Sequence, residues 1–325
     1  MQRAIVAAAL LVGAALPSAQ AQNWPGKTVR IVVPHTAAAP FDGELRAFAQ
    51  ALTQVFGQPF VMENRDGADG AIGAEACAKS APDGYTLCAT TSSVVSLNPA
   101  IYAKLPYDPV RDFAPIIHVG VLNSVIIANP SLAANSFREL LQLARANPDA
   151  VTFATMGNTS FGSLLLGWLK AKQGIAFYGV PYKNATQGMT ATVAGEVQVT
   201  TYALGQIVPM LKSGKLKALA MVGGKRSGFL PDLPTLAEEG LDMPVPRNWI
   251  GMFAPTGVAK DVIGRVNSEV AKVIASPGFK DKFMLARGVE ADEFTGGSAD
   301  AFAAFLKTDR EEYARIVSAI GLARR

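Results

Sequence analysis

The chain has little of what catalytic and metal-binding sites are usually made from. Its 325 residues include only two histidines, His35 and His118, and two cysteines, Cys77 and Cys88. A zinc site needs more ligands at closer spacing. No G-x-S-x-G segment occurs, so an α/β-hydrolase serine has no support. An H-E-x-x-H pair, a Walker loop and a calcium-binding loop are missing as well. Carboxylates at acid–base spacing are also absent, and Asp242 and Glu238–Glu239 read as solvated loop charges. Charged residues make up only 17%, and nothing concentrates the net charge of +4. Lys212, Lys215 and Lys217 sit near one turn, and Lys225–Arg226 is an isolated pair. A nucleic-acid surface calls for a basic stripe or a known motif, so no nucleic-acid partner is expected. Nothing points to a cofactor. Past the N-terminus no run approaches the roughly 20 apolar residues that cross a bilayer.

The N-terminus itself has the three parts of a secretory signal. Arg3 supplies the positive end, Ala4–Leu16 the apolar run and Ala19-Gln20-Ala21 the small-residue cleavage site. Residues 1–21 are therefore expected to be a signal peptide cut near Ala21/Gln22, with the mature protein exported to the periplasm. The remaining chain exceeds one domain of ~100–200 residues, so two lobes are the natural expectation. Export places Cys77 and Cys88 where a bridge can form. Cys77 falls on an apolar helix face and Cys88 on a buried strand, and the expectation is two small buried thiols.

Short apolar runs alternate with helical patterns. Strands are expected at Val29–Pro34, Phe60–Met62, Tyr85–Ala89, Val125–Ala128, Val151–Ala154, Val197–Tyr202, Leu216–Val222 and Ile250–Ala254. Helices are expected from Asp42, at Ile72–Lys79, Phe137–Ala146, Phe161–Gln173, Met189–Ala194, Val262–Ala275, Lys280–Leu285 and Ala301–Ile320. This alternation predicts an α/β fold with parallel sheets covered by helices on both faces. The strands fall into groups before and after about residue 124. Two such lobes predict a ligand cleft at the carboxyl ends of the strands.

Three hydroxyl-rich segments follow strands. They are Pro34–Asp42, Thr90–Ser93 and Thr155–Ser160. Each sets backbone N–H groups and hydroxyls at a helix start, which suits an anion held without a full counter-charge. Plain N-capping by Ser, Thr and Asp is the alternative. Gly67-Ala68-Asp69-Gly70-Ala71-Ile72-Gly73 has evenly spaced glycines but not the dinucleotide spacing, and it reads as a turn entering a helix. A periplasmic enzyme would have only His35 as a visible base.

Several segments, in order, carry a resemblance. They include Trp24–Pro34, Gly57–Arg65, Ala81–Leu87, Asn98–Tyr102 and Leu105–Phe113. Later come Val180–Lys183, Ser213–Leu216, Leu230–Thr235 and Ala254–Gly257. Over nearly the whole mature length the chain resembles the Bug-type solute receptors of tripartite tricarboxylate transporters. These are bacterial periplasmic binding proteins. The resemblance implies a two-lobed Venus-flytrap receptor, type II-like, with two crossing strands at the hinge near Leu122–Ser124 and Val245–Trp249. Lobe 1 would comprise 22–123 plus 247–325, and lobe 2 would comprise 124–246. It implies a monomer that captures a small carboxylate, closes, and delivers it to membrane permease subunits. A ligand-sensing partner of a membrane signalling protein would share the same pocket physics.

The family's binding loops map onto His35, Thr36, Ala38, Ala39, Phe41 and Asp42, onto Thr91, Ser92 and Ser93, and onto Asn158, Thr159, Ser160 and Ser163. Tyr182-Lys183 and Tyr202 complete the expected set. The chain departs from the family pattern at His35, Ala38, Ala39, Thr159 and Ser163, and has Gln198 and Tyr202 where acids are usual. Fewer acids imply a ligand without an ammonium group. The rings of His35, Phe41, Tyr182 and Tyr202 suit a flat or aromatic carboxylate.

Overall fold

The computed structural model describes residues 24–37, 39, 41–157, 160–279, 281, 296–322 and 324. The expected signal segment 1–21, the site residues Ala38, Asn158 and Thr159, and all but one residue of the expected 280–285 helix lie outside the described residues.

Ten strands form two five-stranded sheets. The first is built from β1 (Val29–Val33), β2 (Phe60–Asn64), β3 (Thr86–Thr91), β4 (Phe113–Val121) and β10 (Trp249–Pro255), in the order β2-β1-β3-β10-β4. The second comprises β5 (Ser124–Ala128), β6 (Thr152–Thr155), β7 (Tyr178–Pro181), β8 (Val199–Ala203) and β9 (Lys217–Val222), in the order β7-β6-β8-β5-β9. The longer helices are α1 (Asp42–Phe56), α2 (Ala71–Ala78), α4 (Phe137–Ala146), α5 (Phe161–Gln173), α6 (Ala185–Ala194), α7 (Leu204–Lys212), α8 (Lys260–Ala275) and α10 (Ala299–Ala319). Short helical turns among the described residues include α3 (Asn98–Ile101) and α9 (Pro277–Phe279).

Side-chain alternation along the strands divides the core of the first sheet. Ile31 and Val33 face α1 and α8 through Phe48, Leu52, Val266 and Val270. Val32 faces the opposite way, with Cys77, Cys88, Phe253, Phe302 and Leu306. Every residue of β3 and β10 is buried, as expected for strands covered on both faces. The second sheet repeats the plan. Ile126, Phe153 and Val199 pack towards α4 and α5. Val125, Ile127 and Tyr202 pack towards Leu204 and Ile207 of α7. The same cluster that holds α4 and α5 also takes in Leu97, Ile101, Tyr313, Ile316 and Val317. Helix α10 thus packs its early turns on the first sheet and its last turns on α3 and α5.

Both sheets are mixed, which corrects the expectation of parallel sheets. β10 runs antiparallel to β3 and β4, and β5 runs antiparallel to β8 and β9. The reason is topological. β5 and β10 each begin where the chain crosses between the sheets, so they run away from the junction while their neighbours run towards it. The two crossings touch, with Leu122 N donating to Asn248 O at 2.6 Å.

Besides the short turns α3 and α9, three elements escaped the sequence. β4 carries Pro115, which argues against a central strand. It is accommodated where the β4–β10 register shifts between Met252 and Phe253. β7 is a four-residue edge strand ending in Pro181. α7 has Pro209 inside it. The second hydroxyl-rich segment is also not a loop, because Thr90 and Thr91 belong to β3 and Ser93–Leu97 is already helical. The structure joins Cys77 of α2 to Cys88 of β3, with Cα atoms 6.2 Å apart. This corrects the expectation of separate thiols. The helix face and the strand face bury against each other, which brings the two residues within bridging distance.

Candidate functional site

The carboxyl ends of the strands, with the amino ends of β5 and β10, open onto one cavity of about 1050 Å³. From the first sheet's side its wall takes His35, Thr36, Ala39 and Phe41 after β1, and Thr91, Ser92 and Ser93 at the end of β3. From the second sheet's side it takes Met156, Gly157 and Ser160 after β6, Tyr182 after β7, and Thr201 and Tyr202 in β8. With Lys183, the structure therefore brings eleven of the expected site residues together. Asp42 and Ser163 are not on the wall. Asp42 receives Arg46 Nε at 2.7 Å and Asn64 Nδ2 at 2.9 Å. Ser163 bonds Ser160 Oγ at 2.9 Å and donates to the Gly157 carbonyl. Gln198 also lies off the wall, its Oε1 accepting from Thr152 N at 2.8 Å.

Five helices of at least eight residues start at this cavity. The residues that precede α1, α2, α5, α6 and α7 are Phe41, Gly70, Ser160, Asn184 and Ala203, and all five line it. A helix leaves its first amides without intrahelical partners, and its amino end carries partial positive charge. Capping accounts for part of this. Ser160 Oγ accepts from Ser163 N, and Asn184 Oδ1 accepts from Gln187 N. Phe161 and Gly162, the first two residues of α5, are also wall residues.

The deep wall is neutral and rich in hydroxyls. Thr91 Oγ1 bonds Ser93 Oγ at 2.8 Å and His35 Nε2 at 3.2 Å. Burial lowers the His35 pKa to about 4, so the ring is uncharged at neutral pH. It meets the Phe41 ring in a T-shaped contact, with centroids 5.0 Å apart. Tyr202 bonds Thr186 at 3.1 Å, and burial raises its phenol above the ordinary value. Tyr313 donates to Ser92 Oγ at 3.1 Å. Full charges sit on the exposed wall residues Lys183, Lys225, Arg247, Asp66 and Asp69 and on the half-buried Glu312.

Sequence reasoning missed the wall contributions of Asp66, Asp69, Gly70, Arg247, Asn248 and Tyr313. The glycine-spaced segment 67–73 was a visible signal. Gly67 has φ +125°, Gly70 has φ +83°, and Asp69 sits at φ 53°, so the turn presents Asp69 at the cavity. No sequence signal marks Tyr313, which arrives on the C-terminal helix.

Among the described residues no group of His, Cys, Asp or Glu is placed to hold a metal ion, and no helix is long and apolar enough to cross a membrane. A family model described as "Tripartite tricarboxylate transporter family receptor" matches residues 45–322. The chain belongs to this receptor family. The receptor is 30% identical over 317 residues to a UPF0065 protein of Bordetella bronchiseptica, covering 98% of this chain and 92% of that one. It is 31% identical over 264 residues to protein BugT of Bordetella pertussis, covering 81% of each. A solved structure of R. palustris Rpa4515 with adipate superposes with a TM-score of 0.85 at 28% identity, covering 93% of this chain and 100% of that one. The fold is the bilobed α/β periplasmic-binding-protein fold. As a family member the protein is a periplasmic solute receptor of a tripartite transporter and has a transport role, not a catalytic one.

Proposed function

We propose that the cavity captures a small carboxylate that lacks an ammonium group. The observation that carries this reading is the convergence of five helix amino ends on a deep wall of neutral donors. Such a wall attracts an anion, and only one wall carboxylate among the described residues, the half-buried Glu312, is not fully exposed. The acids Asp66 and Asp69 are exposed at its margin. The relative with adipate is a binder of the same chemistry. The neutral His35 ring, Phe41 and Tyr182 lie along the wall, so aliphatic and flat aromatic acids both find apolar contact.

Residues 22–123 plus 247–325 form one lobe in this reading and residues 124–246 the other. The lobes rotate about the paired crossings at Leu122–Ser124 and Val245–Trp249, which is hinge closure around a ligand. The closed monomer then meets the permease subunits. Asp69 and Gly157 already approach each other across the cavity, since a Cβ on Gly157 would lie 3.1 Å from Asp69 Oδ1.

Titration calorimetry with adipate, benzoate and glutamate tests the ligand class. We expect adipate or benzoate to bind with a Kd on the order of 1 μM or tighter, equivalent to about −8 kcal/mol. Glutamate should bind at least about tenfold more weakly. Tight binding of glutamate overturns the reading.

A further inference from the structure

A second groove of about 410 Å³ lies at the other end of the segment Ser92–Tyr102 from the cavity. Three guanidinium groups from separate parts of the chain line it: Arg111 in the loop before β4, Arg310 in α10 and Arg324 beyond it. Asp108 is its one lining carboxylate among the described residues. We infer that this groove docks an acidic polypeptide segment of a partner protein. The inference rests on the reading that the receptor meets a membrane partner.

The positive charge there is only partly answered from within. Asp108 Oδ1 accepts the amides of Val110 and Arg111 at 2.8 and 3.1 Å, and its one charge is shared between Arg111 and Arg310. Arg111 pairs with Asp112 at 2.9 Å. The buried acid nearest Arg310 in sequence, Asp309, is turned to the Trp249 indole. Arg310 is half-buried, and no ion pair among the described residues reaches it. Arg324 donates to the carbonyls of Pro99 and Ala100, which holds it at the rim.

A polypeptide fits this groove better than a small anion does. Leu105, Pro106 and the Tyr107 ring give it an apolar floor, and Val110 beside it is 66% exposed. Carboxylates on a chain can reach separated guanidiniums while the stems between them cover that floor. The groove is also tied to the cavity wall. Tyr102 OH donates to the carboxylate of Asp69, which lines the cavity. Tyr107 OH donates to Val94 O at 2.7 Å, within the turn that carries Ser93 and Leu97.

Fluorescence anisotropy with labelled hexaglutamate on the full-length exported protein tests this. We expect hexaglutamate to bind at least about fivefold tighter than hexaglutamine, and Arg310→Gln to weaken it by about fivefold or more, as lost charge-assisted bonds at a partly desolvated site should. Arg111→Gln, at an exposed position, should weaken it too and serves as the second variant if Arg310→Gln fails to fold. Lys183→Gln at the cavity mouth should leave peptide binding unchanged. The inference is overturned if neither arginine variant weakens the peptide, or if Lys183→Gln weakens it as much. It is also overturned if phosphatidylglycerol vesicles, and not the peptide, bind in an Arg310-dependent way. Adipate calorimetry on the same proteins separates the two readings. Loss of adipate binding in the unsubstituted protein counts against the carboxylate proposal and leaves the peptide result standing on its own.

Discussion

The indole Nε1 of Trp249 donates to the Asp309 carboxylate at 2.9 Å, tying α10 to the first residue of β10. Both residues are buried, at 0% and 4% exposure, and burial lifts the Asp309 pKa to about 6 against the opposing bonds from Ser96 and Trp249. Between about pH 4 and pH 6 the folded protein therefore keeps a proton that the unfolded chain has lost. This group's contribution to stability falls as pH rises through that window. Asp309→Asn keeps an acceptor for the indole and removes the titration. From pH 7.5 to pH 5 the unsubstituted protein should gain on the order of 1 kcal/mol relative to the variant. Urea denaturation of both proteins at each pH reads the difference, and parallel curves would remove Asp309 as the cause.

His118 acts with the opposite sign. It stacks on Phe302 and Phe305, with centroids 5.4 and 4.8 Å apart, and its pKa is lowered to about 4 by burial first and by Arg247 second. Below pH 6.5 the unfolded chain takes up a proton that the folded chain refuses until about pH 4, so stability is lost on acidification. His118→Phe keeps the stacking and removes this linkage. At pH 5 it should recover on the order of 1–2 kcal/mol relative to its effect at pH 7.5. Equal effects at the two pH values would place the cost in packing alone.

Gly73 sits in α2 where its backbone meets β1. A Cβ there would lie 2.6 Å from the Arg65 carbonyl and 2.6 Å from Pro34 Cα. Alanine would otherwise favour the helix by about 1 kcal/mol. The clash is with backbone and has no easy relief, so Gly73→Ala should destabilise by about 1–3 kcal/mol net. Denaturant midpoints measure this. Ligand affinity should fall as well, because Pro34 leads directly into His35.

The contrast between α4 and β4 shows what was legible in the sequence. Phe137–Ala146 has a strong apolar face, a Ser136 cap and a stop at Asn147-Pro148, so local rules alone set its bounds. β4 has Pro115, His118 and Gly120 in its nine residues and is a strand because β10 pairs with it across a bulge, which is tertiary information. The same division runs through the site. His35, Ser92 and Ser160 follow strands and Thr91 ends one, and their positions could be argued from the chain order. Arg247, Asn248 and Tyr313 reach the wall through the hinge and the C-terminal helix, and no local pattern announces them. Antiparallel β5 and β10 were invisible for a related reason, since strand direction depends on which lobe the chain has just left.

The Cys77–Cys88 bridge closes a short loop, with a sequence separation of 11. Constraining the unfolded chain over such a loop is worth about 2–3 kcal/mol in the chain-entropy account. A Cys77→Ala, Cys88→Ala double variant should lose about that much in urea denaturation. The reduced and oxidised forms of the unsubstituted protein should differ by a similar amount, and the double variant should be insensitive to reductant. Identical midpoints with and without dithiothreitol would remove the bridge as a stabilising element.

Two N-caps separate helix stability from ligand holding. Ser160 caps α5 at the cavity, its Oγ accepting from Ser163 N at 3.2 Å and from Met156 N at 3.3 Å. Ser136 caps α4, away from the cavity, its Oγ accepting from Glu139 N at 3.1 Å. Each change to alanine leaves one helix amide without its acceptor and should cost about 1 kcal/mol of stability. Only Ser160→Ala also removes the acceptor of Met156 N at the cavity wall. Its carboxylate affinity should drop by about five- to tenfold, which corresponds to roughly 1–1.4 kcal/mol. Ser136→Ala should bind as the unsubstituted protein does. Calorimetry and thermal denaturation on the same two variants decide the matter. If both lose affinity equally, helix capping acts on binding only through overall stability, and the amino end of α5 is not where the anion rests.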